Sequence, residues 1–162
     1  MLIASDAPSL RAVVAGAIAG PDDQVVELRK GDEVVKEVRE NLPDLVVLDM
    51  QMGNMGGVAT CLELRLDESC GASEHVPVLI LLDRRADVFM AERSGAEGWV
   101  VKPLDPIRLR QAAEALLAGR TYHDESFQPV SSPALDTGVA NRTGHSTTKS
   151  SESTSREPAA AR

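Results

Sequence analysis

A chain of 162 residues, 43% of them hydrophobic, has enough length and apolar content for one domain with its own core, and with only 2% aromatic residues that core must be built from Val, Leu, Ile and Ala. The formal net charge of −8, from 17 basic and 25 acidic residues, argues against the basic face of a general nucleic-acid binder. No apolar run approaches the roughly 18–20 residues that cross a bilayer, the N-terminus has neither basic segment nor cleavage signal, and Cys61 and Cys70 are wrongly spaced for a disulfide scaffold or zinc site.

Leu2–Ser5 reads as the first strand, and Leu10, Val13, Val14, Ala17 and Ile18 then fall at the i, i+3, i+4 spacing of one helical face. Gln24–Leu28 is a second strand, followed by a helical stripe of Val34, Val35, Val38 and Leu42. Leu45–Asp49 is a third, followed by Val58, Cys61, Leu62 and Leu66. Val78–Leu82 is the fourth strand. The helix after it, about Arg85 to Ser94, has no clean stripe, and Gly95 is its stop. Gly98–Val101 is the fifth strand. Asp105-Pro106 supplies the N-cap and first-turn proline of a last helix that carries Leu109, Ala112, Ala113, Leu116 and Leu117 and ends at Gly119.

Five strands alternating with five helices predict an α/β fold: a doubly wound, five-stranded parallel sheet covered on both faces. Doubly covered strands should be continuous apolar runs, as Leu45–Leu48 and Val78–Leu82 are. Chemistry in such sheets sits at the carboxyl ends of the strands. Residues 1–119 are therefore read as the folded domain. Residues 120–162, rich in Ser, Thr, Pro, Gly and Ala and without periodic apolar positions, are read as a disordered tail. The five basic and five acidic residues from Arg120 onward cancel, so the whole net −8 falls on residues 1–119.

The polar residues at the strand ends carry the chemistry. Ser5-Asp6 closes the first strand, Asp49 the third, and the fifth runs into Lys102-Pro103. Carboxylates with a lysine at one sheet edge suit Mg²⁺-assisted phosphoryl transfer to a carboxylate. The metal takes hard oxygen ligands, the carboxylate is the nucleophile and the ammonium offsets the arriving charge. Three segments, Ser5-Asp6-Ala7-Pro8, Asp49-Met50-Gln51-Met52-Gly53-Asn54-Met55-Gly56-Gly57 and Gly95-Ala96-Glu97-Gly98-Trp99-Val100-Val101-Lys102-Pro103, give residues 1 to about 118 a resemblance to the response-regulator receiver family. The resemblance implies a flavodoxin-like sheet of order 2-1-3-4-5. Asp49 would be the phosphoacceptor and Lys102 the residue pairing with the phosphoryl group. Asp6, Asp49 and the backbone carbonyl of Gln51 would be the Mg²⁺ ligands. It implies a cis Lys102-Pro103 peptide, with switch positions at Leu82 and Trp99.

Departures from the family pattern matter as much. Ser5 stands where the first acid of a pair is usual, which should weaken Mg²⁺ binding. Leu82 stands where a hydroxyl normally senses the phosphoryl group. Asp83, in place of a small residue, would oppose phosphorylation if it pointed inward. Gly53 replaces a loop proline and should loosen that loop, and Trp99 takes a position usually held by Tyr or Phe.

The reading is a stand-alone cytoplasmic response regulator, not an enzyme. It takes its phosphoryl group from a histidine kinase or phosphotransfer protein and signals to a protein partner, with neither nucleic acid nor membrane involved. The expected output surface is the fourth helix, fifth strand and fifth helix, with Arg84, Arg85, Arg93 and Trp99. The alternative is a pseudo-receiver, a phosphorylation-independent interaction module, suggested by Ser5, Leu82 and Asp83. A dehalogenase-type phosphatase is disfavoured because Asp49 lies on the third strand and Gln51 is not an acid. An FMN-binding flavodoxin is disfavoured because Ser5–Ser9 is not a Ser/Thr-rich phosphate loop.

Overall fold

In the computed structural model, which describes residues 1–126, six strands form one all-parallel sheet in the order β2-β1-β3-β4-β5-β6. The strands are β1 (Leu2–Ala4), β2 (Val26–Leu28), β3 (Val46–Asp49), β4 (Val78–Leu82), β5 (Gly98–Val101) and β6 (Tyr122–His123). The helices are α1 (Pro8–Ile18), α2 (Gly31–Asn41), α3 (Gly57–Ser69), α4 (Val88–Arg93) and α5 (Pro106–Leu117). The doubly wound reading and the 2-1-3-4-5 order are borne out. The strand count is corrected from five to six, because β6 pairs with β5 beyond Gly119, where the sequence reading begins the tail. Residues 127–162, the rest of that tail, lie outside the described residues.

Strand alternation divides the core in two. Ile3, Val47, Leu79, Leu81 and Val100 face α1 and α5, and Ala4, Val46, Leu48, Ile80, Leu82, Trp99 and Val101 face α2, α3 and α4. The central strands β3, β4 and β5 are buried along their whole length, as apolar runs without alternation require. Edge strand β2 is mostly exposed.

Several helical faces sit differently from the predicted stripes. On α3 the buried set is Gly57, Thr60, Cys61, Leu64 and Asp67, and Leu62 and Leu66 are exposed. The true face passes through polar residues that find partners: Thr60 donates to the Gly56 carbonyl and Asp67 takes two hydrogen bonds from Arg39. Val13 and Leu117 are likewise exposed, and Leu42 is a half-exposed C-cap at φ 31°. The weak fourth helix resolves into a 3₁₀ turn, Arg85–Asp87, and a six-residue α4. Asp105 caps α5 through its side chain, accepting from the amides of Ile107 and Arg108, with Pro106 in the first turn.

Candidate functional site

Register brings the polar strand ends together. Ala4 lies beside Leu48 and Leu82 beside Val101, so the next residues along the chain, Ser5 and Asp49 on one side and Asp83 and Lys102 on the other, become neighbours at the carboxyl edge. Ser5 Oγ donates to Asp49 Oδ2 at 2.7 Å, and Lys102 Nζ donates to Asp49 Oδ1 at 2.7 Å. The Gln51 amide also reaches Asp49 Oδ1, at 3.3 Å. Asp49 is buried, at 4% exposure, and each of its oxygens has a donor. The Lys102-Pro103 peptide is cis.

Lys102 is shared. Its ammonium also meets Asp83 Oδ1 at 3.0 Å, while Asp83 Oδ2 is buried without a partner. Burial works against the charged ammonium, but the hydrogen bonds and charges of Asp49 and Asp83 outweigh it, so the Lys102 pKa stands above its ordinary value. Asp83 therefore does point inward.

Asp6, exposed at the end of β1, accepts from the Gly53 amide at 2.6 Å. A proline at this position has no amide hydrogen to give, and a Cβ on Gly53 would stand 3.2 Å from Asp6 Oδ2. Gly53 thus ties the loop after β3 to β1, where the sequence alone predicts a looser loop. The carboxylates of Asp6 and Asp49 and the backbone carbonyl of Gln51 are hard-oxygen donors, the ligand type that Mg²⁺ takes while keeping several waters. No cluster of three or more His, Cys, Asp or Glu side chains suited to a metal occurs among the described residues.

The proposed switch positions, Leu82 and Trp99, belong to the core on the α2, α3 and α4 side of the sheet. Leu82 is fully buried. Trp99, 4% exposed, stacks on His123 of β6 with ring centroids 3.9 Å apart and planes 8° from parallel. Of the two places open to it, core filling or an exposed contact, Trp99 takes the core. Arg84 and Arg93 are at the surface as expected, Arg84 bridging to Asp87 at 3.2 Å and Arg93 lying over the Phe89 ring. Two contributors had no sequence signal. Arg11 donates to the Ser5 carbonyl at 2.6 Å and to Glu27 at 2.8 Å. Asp124 accepts from the Val101 amide at 3.0 Å and from Arg108 at 2.6 Å, fastening β6 beside Lys102.

Comparison with known proteins agrees with this fold. The family model for the response regulator receiver domain matches residues 1–114. The DNA-binding response regulator MtrA of Mycolicibacterium smegmatis is 29% identical over 98% of this chain and 65% of its own length. The nitrate/nitrite response regulator protein NarL of Escherichia coli K12 is 32% identical over 83% of this chain and 62% of its own. The chain thus spans somewhat less than two thirds of the length of these relatives. Among solved structures, a LuxR-family two-component response regulator from Aurantimonas sp. SI85-9A1 matches with TM-score 0.66 at 28% identity, covering 77% of this chain and 89% of that one. The signal receiver domain of the putative response regulator NarL from Mycobacterium tuberculosis matches with TM-score 0.64 at 26% identity, covering 74% and 95%. Matched by its family's model over most of its length, this chain belongs to the response-regulator receiver family of two-component signalling.

Proposed function

We propose that Asp49 accepts a phosphoryl group from the phosphohistidine of a histidine kinase or phosphotransfer protein, and that the signal leaves through protein contacts. The observation that carries this reading is the Asp49 carboxylate, buried at the carboxyl edge and held between the Ser5 hydroxyl and the Lys102 ammonium. In the transfer, an Asp49 oxygen attacks phosphorus, the new O–P bond forms as the donor's P–N bond breaks, and the bond's electron pair leaves on the imidazole nitrogen. Lys102 keeps its protons and offsets the charge reaching Asp49, while Ser5 orients the carboxylate. Asp6, Asp49 and the Gln51 carbonyl would hold Mg²⁺, which when bound supplies positive charge to the phosphoryl oxygens.

Output through α4 and α5 is supported by Phe89 and Met90 on the first and Ile107 on the second, all exposed, with Arg84 and Arg93 nearby. The net −8 on residues 1–119 speaks against a nucleic-acid face on the receiver itself. A second reading, a module that binds constitutively, is favoured by Leu82 in place of a sensing hydroxyl and by Trp99 pinned under His123.

Incubating the protein with Mg²⁺ and a small acyl phosphate decides between them. A Mg²⁺-dependent gain of one phosphoryl group in intact mass, lost in Asp49→Asn, is the expected result. Absence of any gain at high Mg²⁺ overturns it in favour of the constitutive module.

A further inference from the structure

The pocket contains an anion of its own. Alternation along β4 turns Leu82 into the α2–α3 side of the core and turns Asp83 toward the pocket, where its Oδ1 sits 3.0 Å from the ammonium that also holds Asp49. Its other oxygen is buried with no donor, a costly arrangement that only the lysine offsets. Asp49, Asp83 and Lys102 together carry one net negative charge. A phosphoryl group on Asp49 would bring about −1.5 to −2 more, onto the same ammonium and against a carboxylate that has one partner.

Building on the acceptor reading above, we propose that Asp83 is an internal competitor that occupies Lys102 in the unphosphorylated state. Its expulsion by the phosphoryl group moves the segment between β4 and α4. Repulsion of a charge at position 83 then does what attraction of a hydroxyl would do at position 82. The segment it would move begins at Arg84, whose bond to the buried Asp87 connects it to the 3₁₀ turn before α4. Asp83 is thus a positioning residue that sets both the ease of phosphoryl acceptance and the structural response to it.

The test is beryllofluoride binding with Mg²⁺ to the full chain, for wild type, Asp83→Ala and Asp83→Asn. Hydrogen–deuterium exchange is read with and without the ligand. Asp83→Asn keeps the volume and the Oδ1 acceptor while removing the charge, so an effect shared by both variants is not one of packing. Both variants should bind at least about tenfold more tightly than wild type, the lower end of what one charge-assisted hydrogen bond is worth. Binding should raise exchange between residues 83 and 88 in wild type and not in the variants. Equal affinity in all three proteins, or the same exchange response in all three, overturns the role of Asp83 and leaves the acceptor reading intact. Absence of binding in all three overturns the acceptor reading, and this role with it.

Discussion

Asp49 is held by backbone as well as by side chains. Gly57, the first residue of α3, lies so close beneath it that a Cβ there would stand 2.5 Å from the Asp49 carbonyl oxygen and 3.2 Å from the Met50 Cα. The obstacle is backbone, which cannot swing aside. Gly57→Ala is therefore expected to lower stability by about 1–3 kcal/mol, as overpacking does, despite the roughly 1 kcal/mol that Ala gains over Gly in a helix. A lower denaturation midpoint measures it. A midpoint equal to or above that of wild type would mean that α3 can back away from the pocket. Ser5 contributes through one hydroxyl, donating to Asp49 and accepting from the Ala7 amide at 3.2 Å, so it braces the turn into α1 as well as the carboxylate.

The two-residue β6 is small for the number of bonds that fasten it. The Tyr122 amide donates to the Glu97 carbonyl, the Asp124 amide to the Trp99 carbonyl, and the Asp124 carboxylate takes the Val101 amide, Arg108 and Ser126. β6 thereby covers the β5 edge, which would otherwise offer unpaired backbone to another chain, and its His123 closes over Trp99. Asp124→Ala leaves the Val101 amide without its acceptor, at a cost of about 1–3 kcal/mol, and should loosen β6 so that Trp99 meets water. A red shift of tryptophan emission together with a lower melting temperature is the expected pair of results, and Trp99 as the only tryptophan makes the emission unambiguous. An unchanged spectrum would mean that α4 and the sheet alone bury Trp99. The short α4 contrasts with this: its buried contribution is Ala91, and Phe89 and Met90 face outward.

Across the whole molecule, the α2–α3 layer is joined by charge as well as by apolar contact. Arg39 Nε and Nη2 meet the buried Asp67 at 2.6 and 2.7 Å. Those hydrogen bonds hold the Asp67 pKa below its ordinary value, against burial, which acts to raise it. Because the folded value is depressed, the pair's contribution is complete above the unfolded carboxylate pKa of about 3.9 and is lost as pH falls through the lower folded value. The melting-temperature gap between wild type and Asp67→Asn should therefore be constant from pH 7 to 5 and shrink below about pH 4. A gap that persists unchanged in stronger acid would assign the effect to packing and not to charge.

The fold was largely legible in the residues because its signals are local. Apolar strand runs, helical spacing, Asp105-Pro106 at the start of a helix and Gly95 and Gly119 after helices each depend on near neighbours, and both of those glycines have positive φ. Leu62 and Leu66 misled because a helix face is chosen by what packs on it, and on α3 the buried Thr60 and Asp67 have partners that spacing cannot show. The strand ends Ser5, Asp49, Asp83 and Lys102 could be named from sequence because each follows an apolar strand. That Ser5 reaches Asp49, and that Asp49 and Asp83 share the Lys102 ammonium, depends on register between strands, with 44 residues separating Ser5 from Asp49 and 53 separating Asp49 from Lys102. The direction of Asp83, the Gly53 amide on Asp6 and the closure of β6 over Trp99 were likewise decided by tertiary structure. Each is a contact between segments distant in the chain, and a hydrogen bond exists only when the fold brings donor and acceptor within about 3 Å of each other.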